Sequence, residues 1–459
     1  MILESKPNSK VLSVFSLVMI NVIAVDSLRT LSFGAKLGTN LIFYYAICAL
    51  FYFIPVGLIT AELATTWPKR GGIYVWAKEA FGIKTGFLVV WLQWIYNVIW
   101  YPTILGLVVG IASYLIDPSL SQNKNFICLS VVSLFWIATI LNLFGLKVSS
   151  IISTIGSIFG TLLPMFIIIG LGFTWIFGTK SSITWDIIPK INSLSDTTLM
   201  VTVMFGLVGL EMSAVHAQDV KNPSRDYPAA LLISGVLILF TLVISSLMIA
   251  LVVPAQELNI IIGIMQGLKI FFEYINMPQM LPVFGSCVIL GALCSVSTWI
   301  LGPAKGLLAV AADDHGLPSF FAKTNKYGAP VNILLLQSVI VTILSALYIL
   351  LAEVETAYLL LTQLTAILAL IMYIIMFSSA VWLRKKAPNK KRPFKIAGGK
   401  FGMAITAGSG ITICLFAMLV SFLPPSQLYI DNHAQYSTIL VIGTIIFILP
   451  ALFIKRKGK

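Results

Sequence analysis

Apolar runs of about eighteen or more residues recur along this chain, and nothing else in it limits the fold so severely. Each run is long enough to cross a bilayer as a helix. The runs do not alternate polar and apolar residues with a period of two, so a transmembrane barrel is excluded. Composition points the same way. Of 459 residues, 58% are hydrophobic and 10% charged, whereas soluble domains carry about a quarter charged. The expectation is an all-α membrane protein with twelve spans, at 11–33, 39–66, 85–115, 125–145, 149–178, 197–217, 228–252, 280–308, 330–351, 355–383, 401–422 and 436–454.

An even number of spans puts both termini on one side. With that side taken as the cytoplasm, all but six of the 30 Lys and Arg residues fall on cytoplasmic segments or inner span ends. The six are Arg29, Lys36, Lys124, Lys180, Lys190 and Lys269. Lys and Arg set orientation, so the reading is a multi-pass membrane protein with both termini cytoplasmic. The net charge of +13 then reflects topology, and no nucleic-acid partner is expected. The densest basic run, RKKAPNKKRPFK at 384–395, reads as a cytoplasmic anchor that at most touches anionic lipid. Residues 11–25 after Lys6 and Lys10 have the look of a signal-peptide core. Asp26 and Arg29, however, interrupt an apolar segment that continues past them, and no convincing small-x-small cleavage site follows. Cys48, Cys128, Cys287, Cys294 and Cys414 lie in apolar spans without metal-site spacing, and His216, His315 and His433 are scattered. No cofactor, metal or disulfide framework is expected.

Two spans are interrupted. In VMFGLVGLEMSAVHAQDVKNPSRDYP (203–228) an apolar segment meets Gly206 and Gly209, then Glu211 and His216. Glycines in mid-span let the backbone unwind, and freed amides and carbonyls can hold a ligand. An ionisable group in a membrane costs about 2.5–3.5 kcal/mol on insertion scales, so Glu211 is a functional candidate. A kinked helix with Glu211 paired to a neighbouring span would show the same residues. In the first span, Leu12–Val25 is followed by Asp26-Ser27-Leu28-Arg29. Asp26 and Arg29 are three apart and could pair on one helix face. Alternatively Ile23, Ala24, Val25, Asp26 and Ser27 are unwound and offer amides to a carboxylate and carbonyls to a cation. The third span is aromatic, and Tyr96 and Trp100 are candidates for a cavity wall against a plain packing role. The ladder Ser149, Ser153, Gly156, Gly160 suits close helix packing. IYVWAKEAFG (73–82) reads as an interfacial amphipathic helix, and 255–277 as an external surface helix or lid. The interrupted spans occupy corresponding places in two halves of opposite direction, about 11–178 and 197–383. That is the pattern of an inverted repeat with a transport site near the midplane. The whole then divides into a ten-helix core (1–383), a basic loop (384–400) and two peripheral helices with a short tail (401–459).

The segments FIPVGLITAELATTWPKRGGIYVWAKEAFG (53–82), GLVGLEMSAVHAQDVKNPSRDYPAA (206–230) and WILGPAKGLLAVAADDHGLP with FAKTNKYGAPV (299–331) resemble the amino acid–polyamine–organocation transporters, above all the bacterial glutamate/GABA antiporter branch. The resemblance covers spans one to ten. It implies a LeuT-type fold of two inverted five-helix repeats plus two helices, and a substrate gripped between the breaks of helices one and six. It also implies rocking of helices one, two, six and seven against three, four, eight and nine. By position, Phe205 stands where the family has an aromatic gate, and Glu211 matches a glutamate implicated in gating or proton coupling. Relatives often have a Gly-Ser-Gly-like break in helix one; Ala24-Val25-Asp26-Ser27 lacks those glycines. The tail KRKGK is too short to resemble the plug of the acid-resistance antiporter, so acid-gated exchange is not carried over.

The function expected is therefore secondary transport of amino acids by alternating access, as antiport or coupled to protons, with glutamate- or GABA-like substrates. Asp26 would take the ammonium, Arg29 would favour an acidic side chain, and Phe205, Gly206, Gly209, Tyr96 and Trp100 would complete the pocket. Glu211 is the candidate to carry a proton. His216, Asp219 and Arg225 would form the inner loop and its gate. Sodium coupling through Ser295, Ser297 and Thr298 is a variant; hydroxyls in membrane helices usually bond back to their own backbone. A membrane enzyme is disfavoured, since no Gly-x-Ser-x-Gly, HExxH or paired-aspartate motif is present. A non-transporting amino-acid sensor on the same fold is the alternative.

Overall fold

A computed structural model describes residues 12–69, 71–144, 156, 158–179, 185–220, 222–312 and 319–453, and of Gln218, Asp219, Thr298, Ala312, Ser319 and Phe453 only the backbone. Ser149 and Ser153 of the small-residue ladder, Lys221 and the KRKGK tail lie outside the described residues.

Every span of the described chain is built from helix, as a bilayer requires of a chain that must satisfy its backbone polar groups within each span. Eleven described helices are long and apolar enough to cross a membrane, and a bent pair makes a twelfth. That pair is α1 (Val14–Val25) and, after the turn Leu28–Thr30, α2 (Leu31–Lys36), inclined at 44°. The following span, α3 (Gly38–Thr66), contains a π-helical turn at Ala49–Phe53. Next come a short amphipathic helix α4 (Ile73–Phe81) and the spans α5 (Ile83–Ile116), α6 (Lys124–Leu143) and α7 (Ile158–Gly178). The sixth span begins as α8 (Met200–Gly206) and continues as a 3-10 segment, Leu210–Asp219. Then follow α9 (Pro223–Val252), the short α10 (Gly263–Tyr274), α11 (Met280–Ala312), α12 (Val331–Ser345), α13 (Val354–Lys386), α14 (Gly399–Ser421) and α15 (His433–Phe453). Boundaries read from the apolar pattern differ from these by a few residues. The largest shift among the described starts is at α9, where Pro223 is tolerated in a first helical turn that has no amide partner to lose.

α5 and α13 form the centre. Both are buried over most of their length, and α5 packs along α13 and α11. At 34 residues, α5 runs about 50 Å, more than the roughly 30 Å of hydrocarbon, and is long enough to tilt. Its aromatic stripe is largely packing: the Trp94 indole donates to Gln337 on α12 (3.3 Å) and the Trp91 indole to the Phe447 carbonyl on α15 (2.7 Å). α7 and α11 cross at Gly160 and Gly291, where a Cβ on either would overlap the other's backbone. Small residues of this kind let membrane helices approach to backbone contact. α4 buries Ile73, Val75, Trp76, Ala77 and Ala80 against α5 and α13. α10 likewise lays Ile264, Met265, Leu268, Phe271 and Phe272 onto its neighbours, among them α9 and α7. α14 and α15 pack on the outside of α13 and leave Phe401, Ile405, Leu419, Val441, Ile445 and Ile446 exposed for lipid.

Candidate functional site

The first span breaks over fewer residues than its sequence suggests. Ile23, Ala24 and Val25 remain helical, and the Asp26 amide still closes the last turn on the Val22 carbonyl (2.8 Å). Only Asp26 and Ser27 are extended, with ψ of 124° and 123°. Val22 and Val25 are buried, and no glycine lies there to loosen the turn, so the helix holds to its end. Two extended residues suffice to separate Asp26 from Arg29, and the intrahelical pair suggested by their spacing does not form. Both Asp26 carboxylate oxygens accept from the Thr241 hydroxyl on α9 (3.2 and 3.0 Å). Arg29 instead donates Nη1 to Thr362 on α13 (3.2 Å) and lies 4.8 Å from the centre of the Phe205 ring. Its Nε is buried with no hydrogen-bond partner among the described residues.

The sixth span is interrupted where its glycines stand. α8 ends at Gly206, and Gly209 has φ +123°, a conformation that side-chain-bearing residues rarely adopt. Both positions also face the first span. A Cβ on Gly206 would sit 3.2 Å from Thr30, and one on Gly209 3.0 Å from the Ala24 carbonyl oxygen. The missing side chains therefore let the two breaks cross in contact. Beyond Gly209 the ten residues Leu210–Asp219 are wound as 3-10 helix, far longer than such turns usually run, a feature common at hinges.

Around this crossing lies a small cavity of about 90 Å³. Ile23 to Arg29, Tyr96, Trp100, Phe205, Gly206 and Gly209 all line it. So do Asn97, Thr161, Ser295 and Trp299, which make the wall of α5, α7 and α11. Of these, only Ser295 was among the sequence candidates, as a sodium ligand. Asn97 carried a usable signal, an amide in an apolar span. Trp299 meets Trp100 edge to face at 6.4 Å, and its carbonyl accepts from the Tyr101 hydroxyl (2.8 Å). Chemically the cavity offers an anion at Asp26, a cation at Arg29 without a carboxylate partner among the described residues, aromatic faces, and the ends of two interrupted helices whose dipoles suit charged groups.

Glu211 does not line the cavity. It is buried behind Gly209 and accepts a short hydrogen bond from the Tyr373 hydroxyl of α13, while its other oxygen has no hydrogen-bond partner among the described residues. The same hydroxyl accepts from the Gly209 amide (3.0 Å). Tyr373 thus joins the carboxylate to the break, and Tyr52 packs edge-on against its ring at 5.3 Å. The residues expected at the inner gate are spread over one end of the molecule. His216 is half-buried on the 3-10 segment, Asp219 is the last residue of that segment, and Arg225 is exposed on the first turn of α9. Two other contacts close that end: a parallel bridge between Leu12 and Val220, and the packing of the Gly72 turn on Ala214 and Val215.

The sequence profile of the amino acid permeases matches residues 10–447. An uncharacterized transporter of Legionella pneumophila is 51% identical over 458 residues, 98% of each chain. A glutamate/gamma-aminobutyrate antiporter of Lactococcus lactis is 27% identical over 98% of this chain and 92% of its own. A probable agmatine/putrescine antiporter of the same species is 23% identical over 97% and 95%. Relatives of full length that are transporters, and a profile that spans every described membrane helix up to α15, indicate a multi-pass membrane transporter rather than an enzyme. This chain belongs to the amino acid permease family.

Proposed function

We propose that the protein moves amino acids across a bacterial inner membrane by alternating access, with both termini cytoplasmic, as an exchanger or coupled to protons. The observation that carries this is the cavity at the crossing of the two breaks, with Asp26 and Arg29 turned to different partners rather than to each other. A zwitterion with an acidic side chain fits that pair: the ammonium toward Asp26, the distal carboxylate toward Arg29, and the α-carboxylate on helix-end amides. An ω-amino acid such as GABA needs only the two side chains. The unpaired guanidinium favours such substrates over a diamine, whose second cation it would repel. The family resemblance supports two inverted repeats, 11–178 and 197–383, moving around this site. It also supports Phe205 as its gate, and Glu211 as the group that takes up a proton. His216, Asp219 and Arg225 are assigned to the inner end of the path. A silent sensor is not favoured, since the relatives are transporters.

The test is exchange in proteoliposomes, screening the twenty amino acids with GABA, agmatine and putrescine at two pH values. Uptake of acidic or ω-amino acids is expected. Uptake confined to the polyamines would refute the role of Arg29, and no uptake of any amino acid would refute the reading itself. An unchanged rate and pH dependence in Glu211→Gln would remove the proton role, and transport that persists without sodium removes the hydroxyls of α11 as a coupling site.

A further inference from the structure

The Thr241 hydroxyl on α9 is surrounded by more acceptors than it has hydrogens. Its Oγ1 lies 2.9 Å from the Leu237 carbonyl oxygen, 3.1 Å from that of Ile238, and 3.2 and 3.0 Å from the two Asp26 carboxyl oxygens. A hydroxyl carries one hydrogen and two lone pairs, while a carbonyl oxygen and an ionised carboxylate only accept. With Asp26 ionised, four acceptor atoms would share that one hydrogen. The carboxylate would also stand in the cavity wall, 7% exposed, with no cation against it. An isolated buried carboxylate is so unfavourable that such a group gives up its charge instead.

The neighbouring elements supply no countercharge. Arg29 turns to Thr362 on α13, and Lys36, the other cation of α2, donates to the Leu258 carbonyl (2.8 Å). From α3, the Tyr45 hydroxyl is near enough to feel the Asp26 charge, with the Cys48 thiol beyond it. That hydroxyl has no hydrogen-bond partner among the described residues. One turn further along α9, Ser245 donates to the Met165 carbonyl of α7 (3.3 Å). The half-spans α1 and α8 carry no titratable residue, and Glu211 is tied to Tyr373 behind Gly209.

One proton on Asp26 removes the conflict. The carboxyl O–H then donates to the Thr241 oxygen, and the Thr241 hydroxyl donates to the Leu237 carbonyl of its own helix, a common bond for a threonine in a membrane helix. We propose that Asp26 is a carboxylic acid in the empty cavity, positioned by Thr241, and that a proton and a substrate ammonium compete for it. The inference rests on the transport reading above and gives it a coupling site distinct from Glu211. When the ammonium arrives, the Asp26 O–H bond breaks and its proton passes to solvent. An ammonium N–H donates to the carboxylate so formed, and the Thr241 hydroxyl rotates from the Leu237 carbonyl to the same carboxylate. The anion offered to a substrate is thus made at binding, and Asp26 is neutralised at all times by one cation or the other.

Infrared difference spectroscopy in nanodiscs tests the protonation without any substrate, because the C=O stretch of a protonated carboxyl is separate from the carboxylate bands. At neutral pH, wild type minus Asp26→Asn should contain that stretch, and Glu211→Gln should retain it. Thr241→Val should shift the stretch by removing its acceptor, and Thr241→Ser should bring it back. This second pair serves if Asp26→Asn does not fold, since a merely structural threonine would leave the stretch where it is. The twenty amino acids and GABA are then added in turn, with glutarate, which has no ammonium, as the control. Those that raise the thermal midpoint should remove the stretch, and glutarate should not. Calorimetry in two buffers of different ionisation enthalpy should show one proton released per bound amino acid and none in Asp26→Asn. The Kd should rise about tenfold for each unit of pH lowered. A wild-type protein without the stretch at neutral pH overturns the proposal, as does a bound amino acid that leaves the stretch in place or releases no proton. If no amino acid binds while the stretch is present, the transport reading falls, and the competition with it, and the proton on Asp26 stands.

Discussion

Replacing Arg29 by methionine separates a binding role from a structural one, because the two predict opposite signs for the empty protein. The guanidinium is 2% exposed, with one hydrogen bond to Thr362, the face of Phe205 and a partnerless Nε. A hydrogen bond from a charged group contributes about 1.5–3 kcal/mol, and a desolvated cation–π contact about 2 kcal/mol. Against them stands the desolvation of a cation with no anion beside it, several kcal/mol. The terms nearly cancel, with desolvation ahead. Arg29→Met should therefore leave the substrate-free protein as stable as before or stabilise it by about 1–2 kcal/mol. An acidic substrate reverses the balance. Losing one partner of a buried ion pair costs about 3–5 kcal/mol, which at 1.4 kcal/mol per tenfold is a factor of about 100 or more in Kd. The assay is binding of labelled acidic and neutral amino acids to solubilised protein, alongside the thermal midpoint without ligand. Acidic ligands should weaken about 100-fold and neutral ones less than tenfold. Equal losses for both classes, or a substrate-free variant destabilised by several kcal/mol, would refute the reasoning.

Other expectations follow from single contacts. Tyr373→Phe removes the hydroxyl shared by Glu211 and the Gly209 amide, orphaning two buried groups at about 1–3 kcal/mol each; the thermal midpoint should fall and the pH profile of exchange should change, and an unaltered profile would show that Tyr373 does not act through Glu211. Gly209→Ala forces a side chain into φ +123°, a strain of about 1–3 kcal/mol, beside the Ala24 carbonyl; slower exchange and a lower midpoint are expected, and full activity would contradict the close crossing. Gly160→Leu should prevent accumulation of folded protein on size exclusion, while Gly170→Leu, where an added Cβ would meet nothing within 4 Å, should be tolerated.

The membrane architecture was legible because each span needs its own apolar run, so the signal is local. The break at Gly206–Gly209 was legible for the same reason: the residues that permit it are in it. Asp26 and Arg29 read either as a pair or as part of an unwound turn; the spacing argument for the pair assumes a continuous helix, and the helix ends at Val25. Tyr373 left no trace. It sits 162 residues from Glu211 in an apolar span where a tyrosine reads as packing. Glu62 and Arg384, 322 residues apart, were each visible as a charge at a span end, but nothing in either segment indicates that they meet. Contacts between distant spans depend on helix rotation and tilt, which packing sets and apolar content does not.

The crossing of Gly160 on Gly291 has a consequence for what the cavity can admit. Both residues belong to its lining, so at that wall the cavity presents main chain, which has no rotamers to swing aside. The width there is a fixed dimension of the bundle, set by how closely α7 and α11 lie. A single added methyl would not narrow the chamber locally; it would wedge the helices apart along their length. Drift toward larger or smaller cargo would therefore have to come from adjustable neighbours such as Thr161, Ala292 or Ser295, while the glycines act as a gauge that stays put.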